Sequence, residues 1–289
     1  MDDLSRRAVS AALAVARGLG LPCSDQPEIL ADGSNVLAHL APAPVVARVA
    51  TTTALVRKPA QQWLALDLDI AGYLAARSFP AVPPSRELPP GPHLHDGFVL
   101  TFWEFVPHDR NYIASAHEVG PLLRELHSIL RGYSGPLHRL SPFAEIPQWL
   151  DEVESWNSID PADIAMLRRG FGLISAEMDA LHLPERPLHG DAHKKNVLKT
   201  GKGLVWTDFE DACSGPIEWD LACFARTSLE PREVALASYG AELDLERLSP
   251  FFTGRDLQGA VWGAIISARF PERKERAAEW MSLARSRYG

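Results

Sequence analysis

The sequence predicts an α+β fold of two lobes, a small β-rich N-lobe and a larger, mainly helical C-lobe, that meet near residue 106. Three observations carry this. Short apolar and β-branched runs gather in the first third of the chain. Helical periodicity fills the last two thirds. A run of prolines (Pro80, Pro83, Pro84, Pro89, Pro90 and Pro92) then leads into an aromatic strand at Phe98–Val106. Strands segregated from helices in this way mark an α+β chain. The expected division is 1–106 and 107–289.

Residues 4–18 alternate apolar and polar side chains at helical spacing, and Gly18 or Gly20 ends the pattern. Arg6-Arg7 ahead of Ala8–Ala16 looks faintly like a secretory leader. However, Asp2 and Asp3 precede the basic pair, Arg17 breaks the apolar run and no A-x-A site follows, so an amphipathic helix is expected. Glu28–Ala31, Asn35–Leu40 and Val45–Ala50 are punctuated by Gly33-Ser34 and Pro42-Ala43-Pro44, which predicts an antiparallel meander. Residues 57–77 read as a helix. The proline cluster admits no helix and predicts a stiff extended connector. Further helices are expected over 114–131, 146–157, 161–181, 218–226, 231–240, 256–268 and 272–286. Residues 187–209 show short apolar runs around Thr200-Gly201-Lys202-Gly203, which predicts a small hairpin.

Composition narrows the function. The 289 residues are 46% hydrophobic and 23% charged, ordinary for a globule that buries a sizeable core. Lys and Arg number 29 against 37 Asp and Glu, a net charge of −8. Nucleic acid is therefore not the expected partner, because phosphate backbones demand concentrated positive charge. The balance mildly favours a neutral or cationic ligand, or simply maintains solubility. Cys23, Cys213 and Cys223 are odd in number and form no C-x-x-C. Neither a disulfide framework nor a cysteine zinc site is expected, and a reducing, cytoplasmic setting fits best. No apolar run approaches the ~20 residues a bilayer requires, so no membrane partner is expected.

The chemistry concentrates in His189-Gly190-Asp191-Ala192-His193-Lys194-Lys195-Asn196, followed by Asp208-Phe209-Glu210-Asp211. Asp191 lies in a short loop between apolar runs, where it is held rigidly. Asn196 starts a strand, and Asp208 ends the return strand. A hairpin brings its second strand back beside its first, so Asn196 and Asp208 are expected to converge. One amide oxygen and one carboxylate make a hard-oxygen site with room for water and phosphate, the set that Mg²⁺ prefers. Asp191 nearby is suited to take a proton from an attacking hydroxyl or amine.

An Asp followed five residues later by an Asn, and then by a D-F-x Asp, resembles the kinase catalytic pattern. The form H-G-D-x-H-x-x-N with D-F-E-D is similar to the aminoglycoside phosphotransferase and choline kinase family, small-molecule kinases with a protein-kinase-like fold. The resemblance spans about residues 28–226. It implies phosphoryl transfer from ATP or GTP, with Mg²⁺, to a hydroxyl of a small-molecule acceptor. By the same resemblance Asp191 is the catalytic aspartate, and Asn196 and Asp208 are the metal ligands. His189 braces the loop. His193 falls where protein kinases place a phosphate-contacting lysine, and either donates a hydrogen bond there or packs within the loop. Asp220, in Trp219-Asp220-Leu221-Ala222, is expected to tie its helix back to the catalytic loop. Glu210 and Asp211 are second-tier or substrate-facing acids.

The resemblance also assigns the first third to the nucleotide. Ser34 and Asn35, after Gly33, sit where a phosphate-covering loop belongs, though a hairpin turn also suits them. Arg48 stands in place of the kinase strand lysine and grips phosphate with two donors. Asp67 or Asp69 pairs with it, and the alignment of Trp63-Leu64-Ala65 favours Asp67. Thr101–Val106 is the expected hinge: the backbone of Glu104 and Val106 would meet the purine edge, with Trp103 beside it or in the core. Asp151, Glu152 and Glu154, between Trp149 and Trp156, either attract an amine-bearing acceptor or form a solvated helix face. Trp262 and Trp280 wall the acceptor or close the core.

Two rival readings remain at this point. His189, Asp191 and His193 form H-x-D-x-H, a set that also ligates zinc or iron in a metal-dependent hydrolase. Alternatively, the chain is a non-catalytic nucleotide-binding protein on the same fold, which the incomplete glycine loop and Arg48 would suit.

Overall fold

Asp2 starts the first helix by capping it: its carboxylate accepts the Ser5 N–H at 2.7 Å. In the computed structural model, which describes residues 2–240 and 245–289, this helix is α1 (Asp3–Gly18). Ala8, Ala12 and Ala16 recur every fourth position and are fully buried against the sheet that follows. The small side chains let the helix approach the strands closely.

That sheet is antiparallel and five-stranded, in the order β1-β2-β3-β5-β4. Its meander is β1 (Glu28–Asp32), β2 (Asn35–His39) and β3 (Val45–Ala50), as the punctuation predicts. Two helices follow, α2 (Thr52–Val56) and α3 (Ala60–Ala75), where one helix over 57–77 is expected. Pro59 explains the break. It has no N–H to donate, and it disfavours helical backbone at Lys58 before it. Within the proline segment, β4 (His93–His95) pairs with β5 (Phe98–Glu104), and the rest runs extended. Its prolines serve as acceptors: Pro83 O takes the Glu104 N–H at 3.1 Å and Pro90 O takes the Phe102 N–H at 2.9 Å. A segment poor in donors thus lies along β5 through its carbonyls.

The remaining elements are the short β6 (His108–Asp109), then α4 (Ala116–Leu130), α5 (Ile146–Ser155), α6 (Pro161–Ala180), β7 (Arg186–Leu188), β8 (Val197–Thr200), β9 (Gly203–Trp206), β10 (Cys213–Gly215), α7 (Glu218–Thr227), α8 (Arg232–Tyr239), α9 (Leu245–Arg269) and α10 (Lys274–Tyr288). The expected hairpin is β8-β9, joined by β6 as a third strand. Helix α9 begins well before the expected residue 256 and runs through Pro250. Leu248, Phe251 and Leu257 are fully buried, and that burial outweighs the single hydrogen bond the proline removes. The pair β7-β10, which the sequence pattern does not reveal, is antiparallel with Leu188 opposite Cys213.

The chain divides into two compact units, Met1–Tyr112 with Leu198–Glu210, and Ile113–Val197 with Asp211–Gly289. The first holds the five-stranded sheet, and the second is mainly helical.

Candidate active site

In the first unit, β3 aims Arg48 into a nest of carboxylates. Its Nη1 lies 3.0 Å from Asp67 Oδ2 on α3, and its Nη2 lies 2.6 Å from Asp208 Oδ1 and 2.9 Å from Glu210 Oε2. Arg48 is buried, so these acids supply the charge its burial demands. Burial opposes its positive charge, but Asp208, Glu210 and Asp67 outweigh it and hold the guanidinium more firmly protonated than usual. Asp67 is fully buried; desolvation pushes its carboxyl up to about 7, opposed by Arg48 and by the Phe209 N–H, which donates to it at 2.8 Å. Asp69, two residues further along α3, is exposed.

Glu210 does more than the motif spacing indicates. It also accepts the Asn35 amide at 3.0 and 3.2 Å, tying the end of D-F-E to the start of β2. The Gly33-Ser34 turn is fixed by threonines: Thr52 Oγ1 donates to Gly33 O at 2.8 Å, and the Thr53 N–H donates to Ser34 O at 2.9 Å. Asp208 adopts φ 71°, a left-handed backbone unusual for a non-glycine and typical of functional sites. Along β5, Trp103 is buried and donates through Nε1 to Thr101 Oγ1 at 2.9 Å, so it packs in the core. Glu104 has its N–H on Pro83 and its carboxylate 3.2 Å from Arg86. The Val106 carbonyl lies 2.9 Å from His108 Nδ1.

In the second unit, the loop after β7 is clamped from two sides. Asp220, fully buried on α7, accepts the His189 N–H at 2.8 Å and the Gly190 N–H at 3.0 Å, and its Oδ2 lies 3.0 Å from His127 Nε2. Burial works against the ionised form of Asp220, but the His127 hydrogen bond and the nearby charges of His127, His189 and Arg255 hold it below the usual carboxylate range. On the other side, Trp219 Nε1 donates to Gly190 O at 3.1 Å. Gly190 itself has φ 83°, and a Cβ there would overlap the Asp211 carbonyl, so only glycine fits.

The clamp presents Asp191, whose side chain is about a quarter exposed (27%). Asn196 Nδ2 donates to Asp191 O at 2.9 Å and lies 3.4 Å from its Oδ2. His193 packs within the loop: Nε2 is 3.3 Å from Asp191 Oδ2, and Nδ1 accepts the Lys195 N–H at 3.2 Å. Burial again opposes ionisation of Asp191, yet His193, Arg255 and His189 outweigh it and lower its carboxyl. Cys223 Sγ and Arg255 Nη1 each lie 3.4 Å from Asp191 Oδ1. Neither residue is signalled by the local motif, because α7 and α9 bring them in from downstream.

One rival reading is corrected here. The H-x-D-x-H set does not make a zinc site: His189 is fully buried with Nδ1 accepting the Asp191 N–H at 3.3 Å, and His193 is turned onto its own loop. Among the described residues, no group of three His, Cys, Asp or Glu side chains is arranged to hold a metal ion. On α5, Arg168 pairs with Asp151 at 2.6 Å and with Glu154 at 3.0 Å, and both acids are exposed, which agrees with a solvated helix face.

Comparison with known proteins sets this geometry in context. The family model described as the phosphotransferase enzyme family matches residues 34–251, well over half of the chain. The chain belongs to the phosphotransferase enzyme family. This phosphotransferase has no significant match among curated proteins. Its fold is shared with solved small-molecule kinases. Amicoumacin kinase hAmiN, in complex with AMP-PNP, Ca²⁺ and Ami, aligns at a TM-score of 0.72 and 12% identity over 98% of this chain and 96% of its own. Choline kinase LicA from Streptococcus pneumoniae aligns at 0.63 and 15% identity over 96% and 99% of the two chains. An aminoglycoside phosphotransferase from Streptomyces rimosus aligns at 0.58 and 16% identity over 89% and 99%. The phosphotransferase therefore has the α+β, kinase-like fold that the resemblance of its sequence implies. Among its described residues, no helix is long and apolar enough to cross a membrane.

Proposed function

We propose that this phosphotransferase moves the γ-phosphoryl group of ATP or GTP to a hydroxyl of a small molecule in the cytoplasm, with residues 1–106 serving the nucleotide and 107–289 the catalytic loop and acceptor. The observation that carries the reading is the clamped loop. Asp220 and Trp219 fix the peptide on either side of Gly190, and the next residue is an ionised, partly exposed Asp191. Such rigidity suits a reaction in which positioning and charge neutralisation supply most of the rate.

In this reading Asp191 orients the acceptor hydroxyl and accepts its proton as the oxygen attacks the γ-phosphorus. The β–γ bridging oxygen leaves with the nucleoside diphosphate. Arg48, held by Asp67, contributes positive charge to the phosphates. Ser34 and Asn35 belong to the turn that covers the phosphates, and Asn35 is steadied by Glu210. The backbone of Glu104 and Val106 serves the purine edge, with Trp103 as packing behind it and His193 as a donor beside Asp191. Asn196 and Asp208 are the residues that would hold Mg²⁺. Each taken by itself suits a hard cation: Asp208 offers a carboxylate, and Asn196 has its amide nitrogen committed to Asp191, which leaves its Oδ1 to ligate. When bound, the ion would neutralise phosphate charge.

Solved relatives of the fold act on choline and on amicoumacin, and the acceptor of this chain belongs to the same broad class of small hydroxyl compounds. The test is Asp191→Asn. Acceptor-dependent nucleotide consumption is expected to fall about 10²–10⁴-fold, to a small residual rate, while nucleotide binding, followed by calorimetry, persists. Unchanged turnover in that variant refutes the assignment.

A further inference from the structure

Arg255 lies on α9, sixty-four positions beyond Asp191, and is 4% exposed. Its guanidinium does three things at once. Nη2 donates to the Gly190 carbonyl, which also accepts the Trp219 indole N–H. Nη1 lies 3.4 Å from Asp191 Oδ1 and 3.1 Å from Gln258 Oε1. Its flat face stacks over the Trp219 ring at 3.9 Å. A planar fork that reaches two acceptors while stacked on an aromatic is work for arginine, and a lysine ammonium reaches only one of them.

The placement is costly if it serves only packing. A buried guanidinium forfeits its hydration, and apolar residues of the same volume fill such a space at least as favourably. Here the buried cation is aimed at one carboxylate, and that carboxylate is Asp191. Oδ1 faces Arg255 and Cys223, whereas Oδ2 faces His193 and Asn196. The two oxygens are therefore distinguished by their surroundings.

We propose that Arg255 is a positioning residue for phosphoryl transfer, holding Asp191 through Oδ1 and the preceding peptide through Gly190 O so that Oδ2 is presented to the acceptor hydroxyl. This rests on Asp191 being the catalytic aspartate. Arg255 touches neither nucleotide nor acceptor; it acts through the carboxylate it orients. Gln258 and Trp219 complete the setting by fixing the guanidinium's edge and face.

The test uses the full-length protein with Arg255→Gln, Arg255→Lys, Asp191→Asn and the double variant Asp191→Asn/Arg255→Gln. A carboxylate displaced by a fraction of an ångström to an ångström lowers turnover by roughly 10- to 100-fold. That loss is expected in kcat for Arg255→Gln, with the KM for nucleotide within about twofold of wild type, since uniform binding is untouched. Arg255→Lys recovers part of it, because one donor is restored and the fork is not. In the Asp191→Asn background, adding Arg255→Gln changes the residual rate by less than about twofold, as expected of residues acting as one unit.

A merely structural arginine gives a different pattern: equal losses in both backgrounds, which overturns the proposal. Undiminished kcat in Arg255→Gln, or a loss confined to KM, overturns it as well. If Arg255→Gln fails to fold, Arg255→Lys alone and combined with Asp191→Asn provides the same comparison. A fully active Asp191→Asn is a separate result, which removes the catalytic reading on which this proposal stands.

Discussion

Asp220→Asn is the sharpest perturbation of the loop that carries Asp191. The carboxylate is fully buried and has three partners: Oδ2 takes the His189 N–H and faces His127, and Oδ1 takes the Gly190 N–H. Asparagine has the same shape but only one oxygen. Whichever way its amide sits, at least one backbone N–H of the loop faces an NH₂ group. One charge-assisted hydrogen bond is lost, about 1.5–3 kcal/mol, and a buried donor is stranded, about 1–3 kcal/mol. Together these give about 2.5–6 kcal/mol, which brackets the roughly 3–5 kcal/mol for breaking a buried charged pair. Urea unfolding followed by tryptophan fluorescence reads this directly. The pH dependence adds a second check. The folded Asp220 carboxyl is held below the usual range, so its contribution is present above the unfolded value, about 3.9, and disappears as the pH falls through the folded value. The gap between wild type and variant is thus widest near neutrality and narrows in acid. A variant within about 1 kcal/mol of wild type at pH 7, or a gap that does not change with pH, refutes the clamp.

Asp67 titrates with the opposite sign. Its folded carboxyl sits at about 7, so the stability it confers is complete below the unfolded value, about 3.9, and is lost as pH rises through 7; Asp67→Asn should flatten the fall in unfolding free energy between pH 5 and 8, and an unchanged slope contradicts this. Gly190→Ala places a Cβ against the Asp211 carbonyl at a left-handed φ, so a loss of at least about 1–2 kcal/mol in unfolding free energy is expected, and near-wild-type stability would mean the loop has an alternative path. Asp208→Asn removes a proposed metal ligand: with Mg²⁺ and nucleotide at ~100 times the dissociation constant, wild type should gain roughly 2.7 kcal/mol of stability and the variant markedly less, and equal gains would exclude Asp208 from the nucleotide site.

Much of this fold is legible because local chemistry decides it. Asp2 and the alanine spacing define α1, Gly33-Ser34 and the Pro42–Pro44 turn define the meander, and Thr200–Gly203 defines the hairpin. Where the sequence reading slips, a competing local rule or distant packing wins. Pro59 splits the helix expected over 57–77. Buried Leu248 and Phe251 extend α9 through a proline that local propensity treats as a stop. Strands β7 and β10 are three residues each, too short to show a period. The H-G-D-x-H-x-x-N motif is contiguous and therefore readable, but its supports are not. Asn35 and Glu210 are 175 positions apart, Arg48 and Asp208 160 apart, and Asp191 and Arg255 64 apart. Nothing in the spacing of Arg255 distinguishes it from any other helical arginine; only the folded chain brings it to Asp191.

The most direct measurement is ³¹P NMR of wild type and Asp191→Asn incubated with Mg²⁺, ATP or GTP, and a panel of small hydroxyl acceptors that includes amino alcohols, aminoglycosides and sugars. The proposed chemistry predicts a new phosphate monoester resonance growing in step with nucleoside diphosphate in the wild type, and growing at least about 100-fold more slowly in the variant. Nucleotide breakdown to inorganic phosphate alone, at the same rate in both proteins and with every acceptor unmodified, would contradict it.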